Sequence, residues 1–198
     1  MKQVHAALAV CCVAVLACTA CGAAQTATEF FPLAVGNWWA YTGEGVEFRM
    51  TVQDVVEGQF LIVSEVNGFP VQREYYAPEG EDVIALRREI PAGSFDLDPP
   101  QVFLRAPMAP GNRWSWEGSV AGQRMRMTFT IMEPETVETP AGTFEALPLV
   151  VTGSSDGEVL RLVRWFVAGV GMVRERAQVT EGSQSFLVDM RLVAYNVE

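Results

Sequence analysis

Val46-Glu47-Phe48-Arg49-Met50-Thr51-Val52-Gln53 alternates apolar and polar residues without a break. A period of two belongs to an extended strand with one buried and one wet face, whereas an amphipathic helix repeats its apolar stripe every three to four residues. Working outward, Gln59 to Val66 and Phe69 to Tyr76 flank Asn67-Gly68. That pair suits the positive φ angles of a two-residue hairpin turn, so the two runs read as consecutive antiparallel strands. Pro78-Glu79-Gly80 supplies the next turn and Glu81 to Ile90 the next strand.

The alternation resumes at Trp114 and Trp116 and continues through Met125, Met127, Phe129 and Ile131, set against Arg124, Arg126, Thr128 and Thr130. Further strands are expected at Glu135 to Glu138, Phe144 to Thr152, Glu158 to Val167, Met172 to Val179 and Ser185 to Tyr195. Between the two halves, Pro91, Pro99, Pro100, Pro107 and Pro110 crowd one segment together with Gly93. Prolines cannot donate to a ladder, so this segment reads as a long loop or edge piece, broken by a short Val102-Phe103-Leu104 run. About ten strands joined by short turns imply an all-β fold, either a large curved antiparallel sheet or a partly closed β-barrel. Its concave face is the place to expect a ligand.

The first residues read differently. Lys2 precedes an apolar stretch from Ala6 to Ala17, too short to span a bilayer, which closes on Leu16-Ala17-Cys18-Thr19-Ala20-Cys21-Gly22. A charged start, a short apolar core, small residues and a cysteine have the form of a bacterial lipoprotein export signal. Residues 1–20 are assigned to the signal and Cys21 to lipidation, with Cys18 as the alternative. Cys21 has small residues ahead of it but lacks the branched aliphatic three positions before; Cys18 has that aliphatic in Val15 but carries the bulky Leu16. Cys21 leaves residues 21–29 as a tether to a single β domain at 30–198. An acyl anchor of the palmitate type then holds the chain on the cell envelope, on the outer membrane facing the periplasm if the host has two membranes. One chain alone binds only reversibly, so a stable anchor needs several.

Removing the signal changes the chemistry of what remains. His5 is the single histidine, Lys2 the single lysine, and all four cysteines, Cys11, Cys12, Cys18 and Cys21, lie at or before the lipidation point. The domain therefore has no disulfide, no Ser-His-Asp triad, no thiolate nucleophile, no Schiff-base lysine and no ordinary zinc site. Neither a metal nor a cofactor is expected. The mature part keeps 13 arginines against 24 acidic residues, a net charge of about −11, which disfavours nucleic acid as a partner.

Three local signatures remain: Phe31-Pro32-Leu33-Ala34-Val35-Gly36-Asn37-Trp38-Trp39, Thr139-Pro140-Ala141-Gly142-Thr143-Phe144, and Gly169-Val170-Gly171-Met172-Val173. The second is a hairpin with Pro140 setting φ at the second turn position and Gly142 at the fourth. Together, behind a lipoprotein signal, they resemble a widespread group of bacterial exported proteins similar to TapB-type domains, with Ala168 standing where the group usually has proline. The resemblance implies a fold related to the curved sheets of periplasmic lipoprotein carriers, which hold acyl chains on the concave side. It brings no catalytic residues.

The side chains weighed for function are few. Trp114 and Trp116 share one strand face and are candidate ligand contacts, since aromatics combine large contact area with a polar edge. Met125 and Met127 offer an adaptable surface for lipid or peptide. Core packing is the competing reading for all four, as it is for Trp39 and Trp165. The acids Glu79, Glu81, Asp82, Asp96, Asp98, Glu133, Glu135 and Glu138 are the candidates for a glycosidase pair, which needs two carboxylates about 5 to 10 Å apart. Most of them fall in turn-like stretches. The reading carried forward is a lipid-anchored, non-catalytic envelope module that binds a hydrophobic ligand or an envelope protein. The alternatives are a carbohydrate-active enzyme using paired carboxylates and a structural envelope-assembly subunit.

Overall fold

The strand opened by Val46 runs on to Val56, and its neighbours on both sides are built from the same alternation. A computed structural model of the chain describes residues 25–120, 122–155, 158–181 and 184–198. The export signal and both candidate lipidation residues, Cys21 and Cys18, lie outside the described residues. A one-turn helix α1 (Ala27–Phe30) precedes thirteen strands: β1 (Trp38–Gly43), β2 (Val46–Val56), β3 (Gln59–Val66), β4 (Phe69–Glu79), β5 (Asp82–Ile90), β6 (Gly93–Leu104), β7 (Arg113–Val120), β8 (Gln123–Ile131), β9 (Glu135–Thr139), β10 (Gly142–Ser155), β11 (Glu158–Val167), β12 (Gly171–Glu181) and β13 (Gln184–Asn196).

Each strand from β1 to β7 pairs antiparallel with the next, and β11, β12, β13 and β1 continue the series. Closure comes from β10, whose second half pairs with β8 on one edge and with β11 on the other. The result is a closed barrel of twelve strands, with β9 as an extra strand hairpinned onto the first half of β10. That hairpin folds against the outer wall: Val137 is buried, Ala141 N–H donates to Leu192 O at 3.0 Å, and Glu135 accepts the Trp165 indole N–H at 2.5 Å. The tight turns follow the sequence. Asn67 and Gly68 have φ of 50° and 80°, the paired positive values a two-residue hairpin requires.

A barrel of twelve strands encloses more space than its own inward side chains fill at eight. Large residues take up part of it, and the chain's start takes up more. Gln25 O accepts from Met108 N, Ala27 N–H donates to Glu81 O and Glu29 O accepts from Gly169 N, at 2.8–3.0 Å, so residues 25–31 are tied to three turns at one end of the barrel. The segment that the sequence assigns to the tether is in this stretch part of the fold. Phe31 then inserts among Trp39, Tyr76 and Phe103, with ring centroids 5.0–6.0 Å away. Trp39 donates to Val170 O at 2.5 Å and lies so close to Gly171, whose φ is +102°, that a Cβ there would stand 2.8 Å from the indole nitrogen.

One expectation is corrected. The proline-rich segment contains a twelve-residue strand, β6, rather than a loop with a three-residue insert. The prolines still act as donor-free residues should. Among the described residues β6 pairs with β7 through its backbone only at Asp98 and Ser119, because Pro99 and Pro100 have no N–H to give. Two indoles close the seam instead: Trp116 donates to Pro99 O at 2.9 Å and Trp114 to Val102 O at 3.0 Å. Gly118 makes room for this arrangement, since a Cβ there would lie 2.7 Å from Asp98 O and collide with the Trp116 ring.

The seam yields a prediction. Trp114→Phe and Trp116→Phe keep most of the ring but leave a part-buried carbonyl without its donor, and each should lower stability by about 1 kcal/mol in urea unfolding. Amide exchange should quicken selectively in β6 and β7. Exchange rates unchanged in both variants would show that the seam does not depend on the indoles.

Candidate functional site

Inside the barrel, the space left by the aromatic packing is a chamber of about 290 Å³. Its wall is built by residues on the inward face of β2 to β6 and β11 to β13. Phe31 closes it on the side of the N-terminal plug, with Tyr76, Phe103, Phe166 and Met172 near it; Phe48, Gln72 and Met190 stand toward the opposite end. Between these two layers lies a belt of polar groups, and the register explains how each reaches it. Ser64 pairs with Gln72, Ile62 with Glu74, and Glu74 with Arg88, so a row of inward positions crosses β3, β4 and β5. Arg164 pairs with Glu175, and Glu175 with Met190, across β11, β12 and β13.

Two ion pairs occupy the belt. Arg88 donates through Nε and Nη2 to one oxygen of Glu74, at 2.9 and 2.7 Å, and Glu74 is only 8% exposed. Arg164 donates through Nε to Glu175 at 2.6 Å, with both side chains largely buried. Burial opposes the Arg164 charge, and the Glu175 carboxylate overrides that opposition, so the guanidinium holds its proton more tightly than an ordinary arginine. Arg88 behaves in the same way beside Glu74. Burial, reinforced by Glu74, pushes the Tyr76 phenol well above its ordinary value and keeps it neutral. Because Arg164 binds through Nε, its two Nη nitrogens have no hydrogen-bond partner among the described residues. Its guanidinium also lies 5.2 Å from the centre of the Phe103 ring. The chamber thus combines apolar walls with balanced charges that retain unused donors.

The residues singled out from the sequence fall elsewhere. The strand face carrying Trp114 and Trp116 is the inward one, leaving them 4% and 5% exposed, with their N–H groups occupied at the β6 seam. Trp114 stacks on Phe129 at 5.1 Å with the rings parallel to within 1°. Met125 and Met127 are half-buried against the core, and the Met127 sulfur accepts from Gln101 at 3.3 Å. None of the four is in the chamber wall. Trp39 is in the core; Trp165 is buried on the outer wall, beneath Arg174 at 4.9 Å.

The acids weighed as a catalytic pair are dispersed. Asp82 accepts the Ala106 N–H, Glu135 accepts from Trp165, Asp96 faces Arg87 at the surface, and Glu79, Glu81, Asp98, Glu133 and Glu138 are exposed. The carboxylates that do share a chamber, Glu74 and Glu175, each have an arginine as first partner. No group of three or more metal-ligating side chains comes together among the described residues.

The belt was legible only in part. Arg164 sits within Leu162-Val163-Arg164-Trp165-Phe166, and an arginine inside an apolar strand is a signal that strand parity with Phe166 turns into an inward position. Glu74 follows from Tyr76 by the same rule. Arg88 does not follow from Ala85, because a bulge between Ala85 and Arg87 shifts the parity.

The pairs differ from surface ion pairs in what their loss should do. Arg164→Met leaves Glu175 buried without its partner and should cost about 3–5 kcal/mol, whereas Arg164→Met with Glu175→Leu should recover most of that loss. Thermal or urea unfolding reads both; equal losses in the single and double variants would mean the pair is not the unit that matters.

No family model and no curated protein matches the chain. Two solved structures align with it along most of their length. One is a protein from Parabacteroides distasonis ATCC 8503, provisionally assigned as a lipoprotein, with 15% identity, 84% of this chain and 98% of that chain covered, and a TM-score of 0.40. The other is an exported protein with a YmcC-like fold from Bacteroides fragilis, with 14% identity, the same coverage of both chains and a TM-score of 0.41.

Proposed function

We propose that this chain is a lipid-anchored cell-envelope protein whose barrel holds a small amphipathic ligand and performs no catalysis. The chamber is the observation that carries this reading. Ligand sites are concave and combine apolar side chains with placed polar groups, and a space of about 290 Å³ in which Phe48, Met50, Phe103, Phe166, Met172 and Met190 frame polar groups that supply more than half of the exposed lining suits a ligand that is itself amphipathic. The absence of histidine, lysine and cysteine beyond Cys21 supports a holding role over a chemical one.

The address rests on the export signal. Cys21 stands four residues before Gln25, whose carbonyl is tied to the plugged end of the barrel, and four residues reach at most about 14 Å. An anchor at Cys21 therefore keeps the plugged end against the membrane and points the opposite end away from it. The resemblance of the three signatures to TapB-type exported proteins agrees with this address. If the host has two membranes, the anchor lies in the outer one, with the barrel in the periplasm.

Two measurements test the reading. Cells fed labelled palmitate should incorporate it into the wild-type chain and a Cys18→Ala variant but not into Cys21→Ala; label retained in Cys21→Ala and lost in Cys18→Ala would move the anchor. Solvent extraction and mass spectrometry of the natively expressed protein should recover an amphiphile at about one per chain, beyond the lipid of the anchor. Recovery no greater than from an unrelated lipoprotein purified the same way would count against a ligand-holding barrel.

A further inference from the structure

The end of the barrel away from the plug is apolar where hairpin tips are usually polar. Phe48 pairs with Val66 and Val66 with Phe69, so these three form one row on the inward face, beginning in the chamber wall and ending at an exposed tip. Phe69 is 74% exposed. It reaches the inward row because a bulge between Ser64 and Glu65 shifts the β3–β4 register there, so Pro70 rather than Val71 stands opposite Glu65. On the next hairpin Ile90 lies two residues beyond Arg88 on the same face of β5, and it too is exposed. Val46, two residues before Phe48, adds a third exposed apolar residue at the first tip. Asn67 ties the first two tips together by accepting the Glu47 N–H at its side chain and donating its own N–H to Glu47 O.

The lumen is thus layered, with an apolar rim, a charged belt and an apolar floor closed by Phe31. A ligand with a polar head can meet the belt and still lay its tail along the rim, but the closed floor leaves little depth beneath the belt for a chain. Arg164 supplies the head's partner: two adjacent Nη donors without a protein acceptor form the planar fork that suits a carboxylate or phosphate. We infer, building on the ligand-holding reading, that the chamber takes an anionic amphiphile head first, with its acid on Arg164 and its acyl tail leaving the barrel between Phe48, Val66, Phe69 and Ile90.

Saturated fatty acids of eight to sixteen carbons, and the primary alcohols of matching length, provide the probes, titrated calorimetrically below their micelle concentrations into the full exported chain. The acid should bind at least tenfold more tightly than its alcohol. That preference should disappear in a variant combining Arg164→Gln with Glu175→Gln, which removes both charges together so that neither is left buried without its partner. Affinity should climb with chain length by up to about fourfold per methylene. Phe69→Ser combined with Ile90→Ser should flatten that climb while leaving the acid-over-alcohol preference intact.

Equal binding of acid and alcohol would overturn the assignment of the head to Arg164. A chain-length dependence untouched at the rim but flattened by Met172→Ser would overturn the tail's direction and place it on the floor. Binding in either of those patterns would leave the ligand-holding reading standing. Failure of every acid and alcohol to bind would remove both.

Discussion

Beyond Ala146, β10 hydrogen-bonds to β11 along one edge and to β8 along the other, and this double pairing turns a ribbon of strands into a ring. Closure removes the exposed edges that an open sheet must otherwise protect with charge or bulges. It also creates a problem of volume, because a twelve-strand ring is wide. The chain answers with bulky inward residues and with its own N-terminal segment, whose Phe31 is clasped by Trp39, Tyr76 and Phe103. Where packing stops, the chamber begins. Its position depends on the closure and on the plug together.

The weakest link in the ring is the join of β6 to β7, where prolines leave one backbone pairing among the described residues and tryptophan side chains supply the remaining donors. Trp114 and Trp116, candidate ligand contacts in the sequence, have their rings buried and their N–H groups engaged at this join. An indole on an inward strand face has both area to bury and an N–H to satisfy, and a proline-interrupted neighbour offers carbonyls that the backbone cannot reach. Trp39 and Trp165 also bury their rings and satisfy their N–H groups, on Val170 O at the Gly171 corner and on the Glu135 carboxylate beneath the outer hairpin.

How far the sequence could be read follows from these causes. Strand identity was legible wherever alternation and turn chemistry agreed, as in Val46 to Gln53 and around Asn67-Gly68, because both are local. The strand at Gly93–Leu104 was hidden by a rule applied one step too far: prolines bar a strand from the middle of a ladder, yet a neighbour's side chains can complete the ladder for them. A partly closed barrel was one of the two architectures the strand pattern allowed, but the β10–β11–β8 pairing that completes the ring was not legible, since it is decided by distant partners. The charged belt was half legible, through parity at Glu74 and Arg164, and lost at Arg88 where a bulge resets the count.

The proposed holding role rests on the space between Phe31 and Phe48. A balanced set of charges inside an apolar lumen costs desolvation that a filled hydrophobic core would avoid, and such groups call for a partner or for water. The most direct measurement is an experimental structure of the protein isolated from its native envelope without delipidation. A held amphiphile would appear as elongated density in the chamber, with one end within hydrogen-bonding distance of the Arg164 Nη nitrogens and the other passing Phe48 toward Phe69. A chamber collapsed onto its own side chains, or filled by ordered water alone, would contradict the holding role.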